Sequence, residues 1–473
     1  MEQLTHLVLN FYLGTVVNFE QQIKQHKDFF YSNTTYNLAW RKAQLLQIKK
    51  LVLENEQQCL DALKKDLGKP AVEAWISEVS YISGDVDHVI KHLSKWTKER
   101  RVATPIVAQP GRSYIQPEPQ GTVLIIGAWN YPLQLVLAPL VAVIAAGNCA
   151  MIKPSELAPA TSALIADLIP KYLDNQAFSV IEGGVEETTE LLKSSFDHIM
   201  YTGNGVVGRI VMAAAAKHLT PVTLELGGKS PVYVDNSADL TITAQRLAWG
   251  KWMNAGQTCI APDYILTPKA LIPDLVVALK KQITSMFGDN IKNSKSYGRI
   301  INRRHTERIA SYMASGEIVC GGEVDLTSNY IEPTIIVDPA LDSPIMTNEI
   351  FGALLPIVSI ESFEKAKDFV KAREKPLSAY IFTKDKQQSK SWIKEISSGS
   401  QCINDVIMFN AVPELPFGGV GPSGIGQYSG KAGFDNFSHL KSVLSRPFLK
   451  DLPVRFAPYT DLKFKFLRLI RQL

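Results

Sequence analysis

What most constrains this chain is one scheme that repeats four times between residues 122 and 205. A short apolar, strand-like run closes on a glycine or turn, and a helical stretch follows. The runs are TVLIIGAWN (Thr122–Asn130), NCAMIKPSE (Asn148–Glu156), FSVIEGG (Phe178–Gly184) and HIMYTGNG (His198–Gly205). The segment PATSALIADLIPKYL between the second and third is helical in pattern. Parallel strands need a crossover on every return, so this alternation predicts a doubly wound parallel sheet. Ligands of such sheets sit beyond the carboxyl ends of the strands. Asn130, Lys153, Glu156, Gly203 and Asn204 fall there.

A second series begins at Pro221: PVTLELGGKSPVYVD, a helix through AWGKWMNAG, then YILTP, PTIIVD, LPIVSI and SAYIFT. It predicts a second α/β domain. Upstream, residues 1 to about 100 read as helical. Apolar residues recur at three- and four-residue spacing in WRKAQLLQIKKLVLENEQQCLDALKKDLGK, which Gly68 and Pro70 end. From Thr104 to Gly121 prolines punctuate the chain, and SYIQPEP predicts an extended arm. There is no internal repeat of fixed period and no low-complexity tract.

The 473 residues are enough for two or three domains. A net charge of +4, set against 50 basic and 46 acidic side chains, gives no reason to expect nucleic acid as a partner. Five scattered cysteines with no CxxC pair argue against a zinc or disulfide framework, so no metal is expected and a reducing compartment, the cytoplasm, fits best. MEQLTHLVLNFYLGTV lacks the basic start and small-residue cleavage site of a signal peptide. No apolar run reaches the roughly 18 residues of a membrane span. The longest, Leu133 to Ala146, contains Pro139 and reads as a buried helix.

Two phosphate-loop likenesses need weighing. GGKS (Gly227–Ser230) resembles the end of a P-loop, but Thr223 stands where that motif needs its first glycine. GNGVVG (Gly203–Gly208) does satisfy GxGxxG after a strand and before a helix. Its glycines could face a phosphate, with Glu225 as a ribose-binding acid, or merely allow close helix–strand packing.

NAGQTCIAP places Cys259 among small and polar residues, whereas Cys149 lies in an apolar run. A thiol that attacks a carbonyl needs access, a proton acceptor and donors for the oxyanion. Cys259 has the access. Glu225, between leucines at a strand end, could accept the proton if burial raises its pKa, or could be an ion-pair or capping carboxylate. Asn130 could donate to an oxyanion or simply occupy a turn. For the other four cysteines a filling role is the default.

Seven stretches together, GAWNYP, KPSE, YTGNGVVGR, LELGGKSP, GQTC, NEIFG and LPFGGVGPSGIG, occur in the order found in the aldehyde dehydrogenase superfamily, which the chain resembles from about residue 35 to 445. It is most similar to the short class 3 and fatty aldehyde dehydrogenases, through KPAVEAWISEVSYI and INDVIMFNAVPELPFGG. The resemblance implies an α/β fold with a Rossmann-type cofactor domain (1–100 and 122–224), an α/β catalytic domain (225–418) and a small β oligomerisation arm (101–121 and 419–447). Residues 448–473 form a tail.

It further implies that Cys259 attacks the aldehyde to form a thiohemiacetal, with the oxyanion held by the Asn130 amide and the Cys259 backbone N–H. Hydride transfer leaves a thioester, which water activated by Glu225 hydrolyses. NAD, NADP or both would be the cofactor, held by Lys153, Ser155 and Glu156 at the adenosine ribose, Gly203, Asn204 and Gly208 at the pyrophosphate, and Glu349 and Phe351 at the nicotinamide ribose. In this family the outer glycines Gly203 and Gly208 are the needed ones, and the glutamate that follows is a base. A carboxylate at Glu156 suits the two ribose hydroxyls of NAD, while Lys153 would attract the 2′-phosphate of NADP. The expected substrate pocket is Tyr81, Trp129, Tyr131, Trp249, Thr258, Ile407 and Phe409, a mostly apolar set that suits medium to long or aromatic aldehydes.

The arm implies a homodimer in preference to a tetramer. The tail DLKFKFLRLIRQL spaces Phe464, Leu467, Ile470 and Leu473 by three, with Lys463, Lys465, Arg468 and Arg471 between. It could pack on the body or a partner subunit, cover the substrate tunnel, or touch an anionic membrane surface. Two rival functions share this fold: a CoA-acylating or semialdehyde-type dehydrogenase, and a binding protein without catalysis.

Overall fold

A computed structural model describes residues 19–470. The segment Met1–Val16, read above against a signal peptide, lies outside the described residues, as do Arg471 and Leu473 of the tail pattern. The chain divides into two compact units. One runs up to Thr97 and resumes over Glu118–His439; the other comprises Lys98–Pro117 and the residues from Leu440 on.

The first unit holds two large sheets. In the six-stranded sheet the order is Gly424–Ile425, Val222–Glu225, His198–Thr202, Thr122–Ile126, Cys149–Lys153, Phe178–Val180. All neighbours are parallel except Gly424–Ile425, which lies antiparallel to Val222–Glu225 with Gly424 opposite Glu225. Chain order runs outward from Thr122–Ile126 to one edge and then returns to its other side. The switch point, where such sheets open a crevice, is therefore at the end of Thr122–Ile126, before Asn130. The central strands Thr122–Ile126 and Cys149–Lys153 are buried along their whole length, which explains their continuous apolar runs. The crossover helix Gln134–Ala146 is also buried at every residue and keeps Pro139 inside it.

The seven-stranded sheet is ordered Glu317–Cys320, Thr334–Val337, Leu354–Ser359, Tyr264–Thr267, Pro231–Val234, Ser378–Phe382, Ser400–Ile403. Only Glu317–Cys320 is antiparallel to its neighbour.

Two expected helices end differently. The long N-terminal helix is two, Leu38–Glu54 and Glu56–Leu67, because Asn55 leaves helical geometry and turns its amide onto Leu51 O at 2.9 Å. Gly68, at φ +59°, stops the second. The helix before Cys259 covers Leu240–Trp252 and stops short of Gly256.

In the second unit Arg100–Val102, Arg112–Pro119 and Ser438–Ser445 form a three-stranded sheet, the first pair antiparallel with Arg100 opposite Ile115. An Arg112–Glu99 ion pair lies beside it. Its last element is the helix Asp461–Ile470, on which Leu462, Phe464, Phe466, Leu467 and Leu469 are all exposed. No described helix is long and apolar enough to cross a membrane.

Candidate active site

The segment around Cys259 is set by a tight reversal after the helix Leu240–Trp252. Asn254, Ala255 and Gly256 adopt φ of 51°, 53° and 80°, three left-handed residues in a row. For Asn254 and Ala255 this conformation is costly, about 1–2 kcal/mol per residue, and it persists only where neighbours impose it. Here they do. Asn254 N donates to Glu73 Oε1 at 2.8 Å, and Asn254 Nδ2 donates to Asn130 O at 2.7 Å. The Gln257 side chain donates to Asn254 O and Arg299 O, both at 2.9 Å, and accepts from Ile301 N at 2.9 Å. Gly256 has no alternative, since a Cβ there would lie 2.1 Å from Gly352 O. Glycine and glutamine in GQTC thus have structural reasons, and together they deliver Thr258 and Cys259.

Cys259 is half-buried. Burial pushes its thiol up, and the carboxylates of Glu349 and Glu225 add to the effect, Glu349 more strongly; the backbone N–H groups of Cys259 and Ile260 oppose it. The sulfur therefore keeps its proton unless a base removes it. Glu225 ends its strand buried, and neither carboxylate oxygen has a hydrogen-bond partner. Loss of solvation pushes it well above the usual carboxylate range. Glu349 is pushed up to about 8 by burial and by Asp263, against the Gly228 N–H and the charges of Lys229 and Arg308. Of the other cysteines, Cys59 and Cys149 are fully buried, and desolvation raises both to about 12.

Asn130 sits at the switch point. Its Nδ2 donates to Gln257 O at 3.0 Å, and its carbonyl accepts from Lys69 Nζ at 3.2 Å. Tyr131 and Thr258 hydroxyls meet at 2.6 Å, with the Lys69 ammonium 4.1 Å from the Tyr131 ring centre. Lys69 itself is fully buried and paired with Glu78 at 2.5 Å. Glu78 Oε2 accepts from Leu133 N at 2.9 Å and Gln134 N at 3.2 Å. Sequence reasoning missed this pair and Glu73. The only signal was charge inside the otherwise apolar-facing KPAVEAWISEV.

At the other strand ends, buried Lys153 donates to Pro154 O at 2.8 Å and to exposed Glu156 at 3.4 Å. Ser155 is buried, and its Oγ accepts from Leu157 N at 3.3 Å. Asn204 caps the helix Gly205–Ala216, its Oδ1 taking the N–H groups of Val206 and Val207 at 3.0 Å each. Gly203 lies against Tyr201, whose hydroxyl would be 2.2 Å from an added Cβ. A Cβ on Gly208 would come within 2.8 Å of Leu226 Cδ2, so this glycine does let helix and strand approach. Phe351, at φ +47°, sets its ring edge-on to Trp129 with centres 5.2 Å apart; Trp129 in turn lies 5.2 Å from the His305 ring.

Lys229 explains GGKS. Its ammonium pairs with Asp263 Oδ2 and donates to Ile345 O at 2.7 Å and Asn348 O at 3.1 Å, while Asp263 Oδ1 accepts from Ile350 N at 3.1 Å. This fastens NEIFG to Asp263, four residues after Cys259.

Of the expected pocket residues, Tyr131 and Thr258 come together directly, Thr258 preceding Cys259 in the chain. Tyr81 reaches Asn410 Oδ1 at 3.4 Å, next to Phe409. Phe409 stacks on Phe417 (6.2 Å), and Phe417 meets Tyr428 edge-on (5.5 Å). Tyr428, not anticipated, has its hydroxyl pushed up by burial first and then by Tyr81, Glu225, Cys259 and Asp85 around it. Ile407 is buried at φ +64°, beside Gly250. Trp249 is 38% exposed, and no described contact joins it to the cluster.

A sequence model of the aldehyde dehydrogenase family matches residues 5–443. The dimeric NADP-preferring aldehyde dehydrogenase of Rattus norvegicus is 47% identical over 429 residues, 91% of this chain and 95% of its own. Aldehyde dehydrogenase family 3 member A2 of Macaca fascicularis is 48% identical over 425 residues, 90% of this chain and 88% of its own. A substrate-bound structure of AldH from Staphylococcus aureus superposes with a TM-score of 0.93 at 44% identity, covering 96% of this chain and 99% of that one.

Proposed function

The chain belongs to the aldehyde dehydrogenase family, and from that premise we propose that it oxidises medium- to long-chain or aromatic aldehydes to carboxylic acids on Cys259, with NAD or NADP as cofactor. The observation that carries the reading is Glu225: a buried carboxylate with both oxygens unpartnered, acting electrostatically on the Cys259 sulfur. Such a group costs stability and has no structural partner to offset it, which is the mark of a site kept for proton transfer.

The steps follow from the residues. Glu225 takes the thiol proton, and Cys259 Sγ attacks the aldehyde carbon. The oxyanion that forms is held by the Cys259 N–H and by the Asn130 amide, which spends one bond on Gln257 O and keeps a second N–H. When bound, the nicotinamide accepts hydride and so makes the thioester possible. Once Glu225 has released the thiol proton to solvent, it draws a proton from water, and hydrolysis of the thioester frees the acid and the Cys259 sulfur. A base for water favours this reading over transfer to CoA.

The chain's residues fit the cofactor. Lys153 and Glu156 offer a cation and a carboxylate 3.4 Å apart for ribose hydroxyls, and Gly184 has only the Glu156 side chain within 4 Å of where its Cβ would lie. Glu349 supplies a half-buried carboxylate that acts on the Cys259 sulfur, and Phe351 meets Trp129 edge-on. With Lys153 present, both NAD and NADP are usable. The arm supports a homodimer, as the rat relative's name describes for that protein. The exposed apolar and basic residues of Asp461–Ile470 favour contact with an anionic membrane surface.

Glu225→Gln should slow both the first release of reduced cofactor and steady-state turnover, the latter by about 10²–10⁴-fold. Cys259→Ala should give neither burst nor turnover. Wild-type turnover in Glu225→Gln would overturn the assignment, and full recovery on adding CoA would point to acyl transfer. A panel from two- to ten-carbon aldehydes with each cofactor should show kcat/KM rising with length; a flat series would remove the proposed preference.

A further inference from the structure

We propose that His88, His92 and Glu414 bind one divalent transition-metal ion of the zinc class, joining the helix Ser80–Trp96 to the loop before PFGG. None of the three takes part in the chemistry above. Among the described residues they form the one group of three or more His, Cys, Asp or Glu side chains whose ligand atoms all lie within 4.8 Å of one another.

His88 and His92 are four residues apart on the helix, so their rings share one face, with centres 4.5 Å apart. Glu414 Oε1 lies 3.6 Å from His88 Nε2. A tetrahedral zinc with bonds of about 2.0–2.1 Å holds its ligand atoms about 3.3 Å apart. That spacing lies close to the 3.6 Å contact already present, and Glu414 is exposed enough to turn inward.

Three further observations prepare the histidines as ligands. His92 Nδ1 lies 2.9 Å from His88 O, so the Nδ1–H donates and the Nε2 lone pair faces outward, the arrangement in which metal-bound imidazoles are commonly held. The His92 ring is also fixed by stacking on Trp96, centres 5.7 Å apart at 15°. His88 Nε2 is buried without a hydrogen-bond partner, 3.6 Å from Glu414 Oε1. Gly430 leaves room beside it, since a Cβ there would already stand 3.4 Å from His88 Nε2. Two imidazoles and a carboxylate with an open fourth position make a ligand set that zinc favours over magnesium or calcium.

The test is cobalt(II) titration of the chelator-treated, reduced full chain, followed by visible absorption. One cobalt should bind and give tetrahedral bands without a thiolate-to-cobalt charge-transfer feature, and Cys259→Ser should leave them unchanged. Affinity should fall about tenfold or more in His92→Ala, and also in Glu414→Gln, whose exposed position spares the fold. Absence of tetrahedral bands, unchanged affinity in both His92→Ala and Glu414→Gln, or a thiolate feature lost in Cys259→Ser would each overturn the proposal.

Discussion

Replacing Gly256 by alanine tests the claim that the nucleophile is placed by a reversal with no room for a side chain. Two costs add. Alanine at φ +80° loses about 1–2 kcal/mol against glycine. The new Cβ would also stand 2.1 Å from Gly352 O, where a carbon–oxygen contact normally needs about 3.3 Å. One loop must therefore give by about 1 Å, and neither is free to do so: Gln257 and Asn254 brace one side, while Trp252 Nε1 to Ala353 O at 2.8 Å and Ile350 N to Asp263 brace the other. A misplacement of that size costs about 10²-fold in rate. The expected outcome is a loss of roughly 2–3 kcal/mol in unfolding free energy and about a hundredfold in kcat/KM, read by guanidinium denaturation and steady-state kinetics. Gly421→Ala is the control. It has the same handedness, φ +63°, but open space around it, so it should lose about 1 kcal/mol and keep its activity. If Gly256→Ala matched wild type in both assays, or behaved like Gly421→Ala, the steric argument would be wrong.

Stability should also depend on pH through Asp85, which burial raises to about 7. A carboxyl with a folded value above its unfolded one binds more protons when folded, so its contribution is full at about pH 4 and is lost as pH rises through about 7. Asp85→Asn should therefore gain on the order of 2 kcal/mol relative to wild type at pH 8 and little at pH 4.5; equal denaturation midpoints at pH 8 would contradict this. Removing residues 448–473 should abolish co-sedimentation with anionic vesicles while leaving aldehyde turnover intact. If the truncated and full chains sediment alike, the membrane reading of the tail goes.

Much of this fold could be read directly because the physics is local. Thr122–Ile126 and Cys149–Lys153 are apolar without a break since both faces are covered, and the glycines after them mark the turns. Cys259 stood out by its small and polar neighbours, whereas Glu225 and Asn130 each had an ordinary reading as well and drew their roles from the family resemblance. What stayed hidden was long-range or conformational. Ala255 carries no mark of its left-handed backbone, which only Glu73, Asn130 and Arg299 impose through Asn254 and Gln257. Lys69 and Glu78 look like surface charges in a helical pattern, yet they are fully buried against each other. The placing of Pro231–Val234 between Tyr264–Thr267 and Ser378–Phe382 depends on crossovers that no short window encodes.

The Lys229 ammonium ties three distant stretches of sequence to a single positive charge: its own GGKS, the Asp263 that follows the nucleophile, and the carbonyls of Ile345 and Asn348 before Glu349. Transplanting any one of these into another scaffold would leave a buried charge stranded, so they can only be inherited or engineered as a set. Tyr81 and Asn410, joined at 3.4 Å in the proposed substrate lining, lie outside that knot and are free to vary without breaking it.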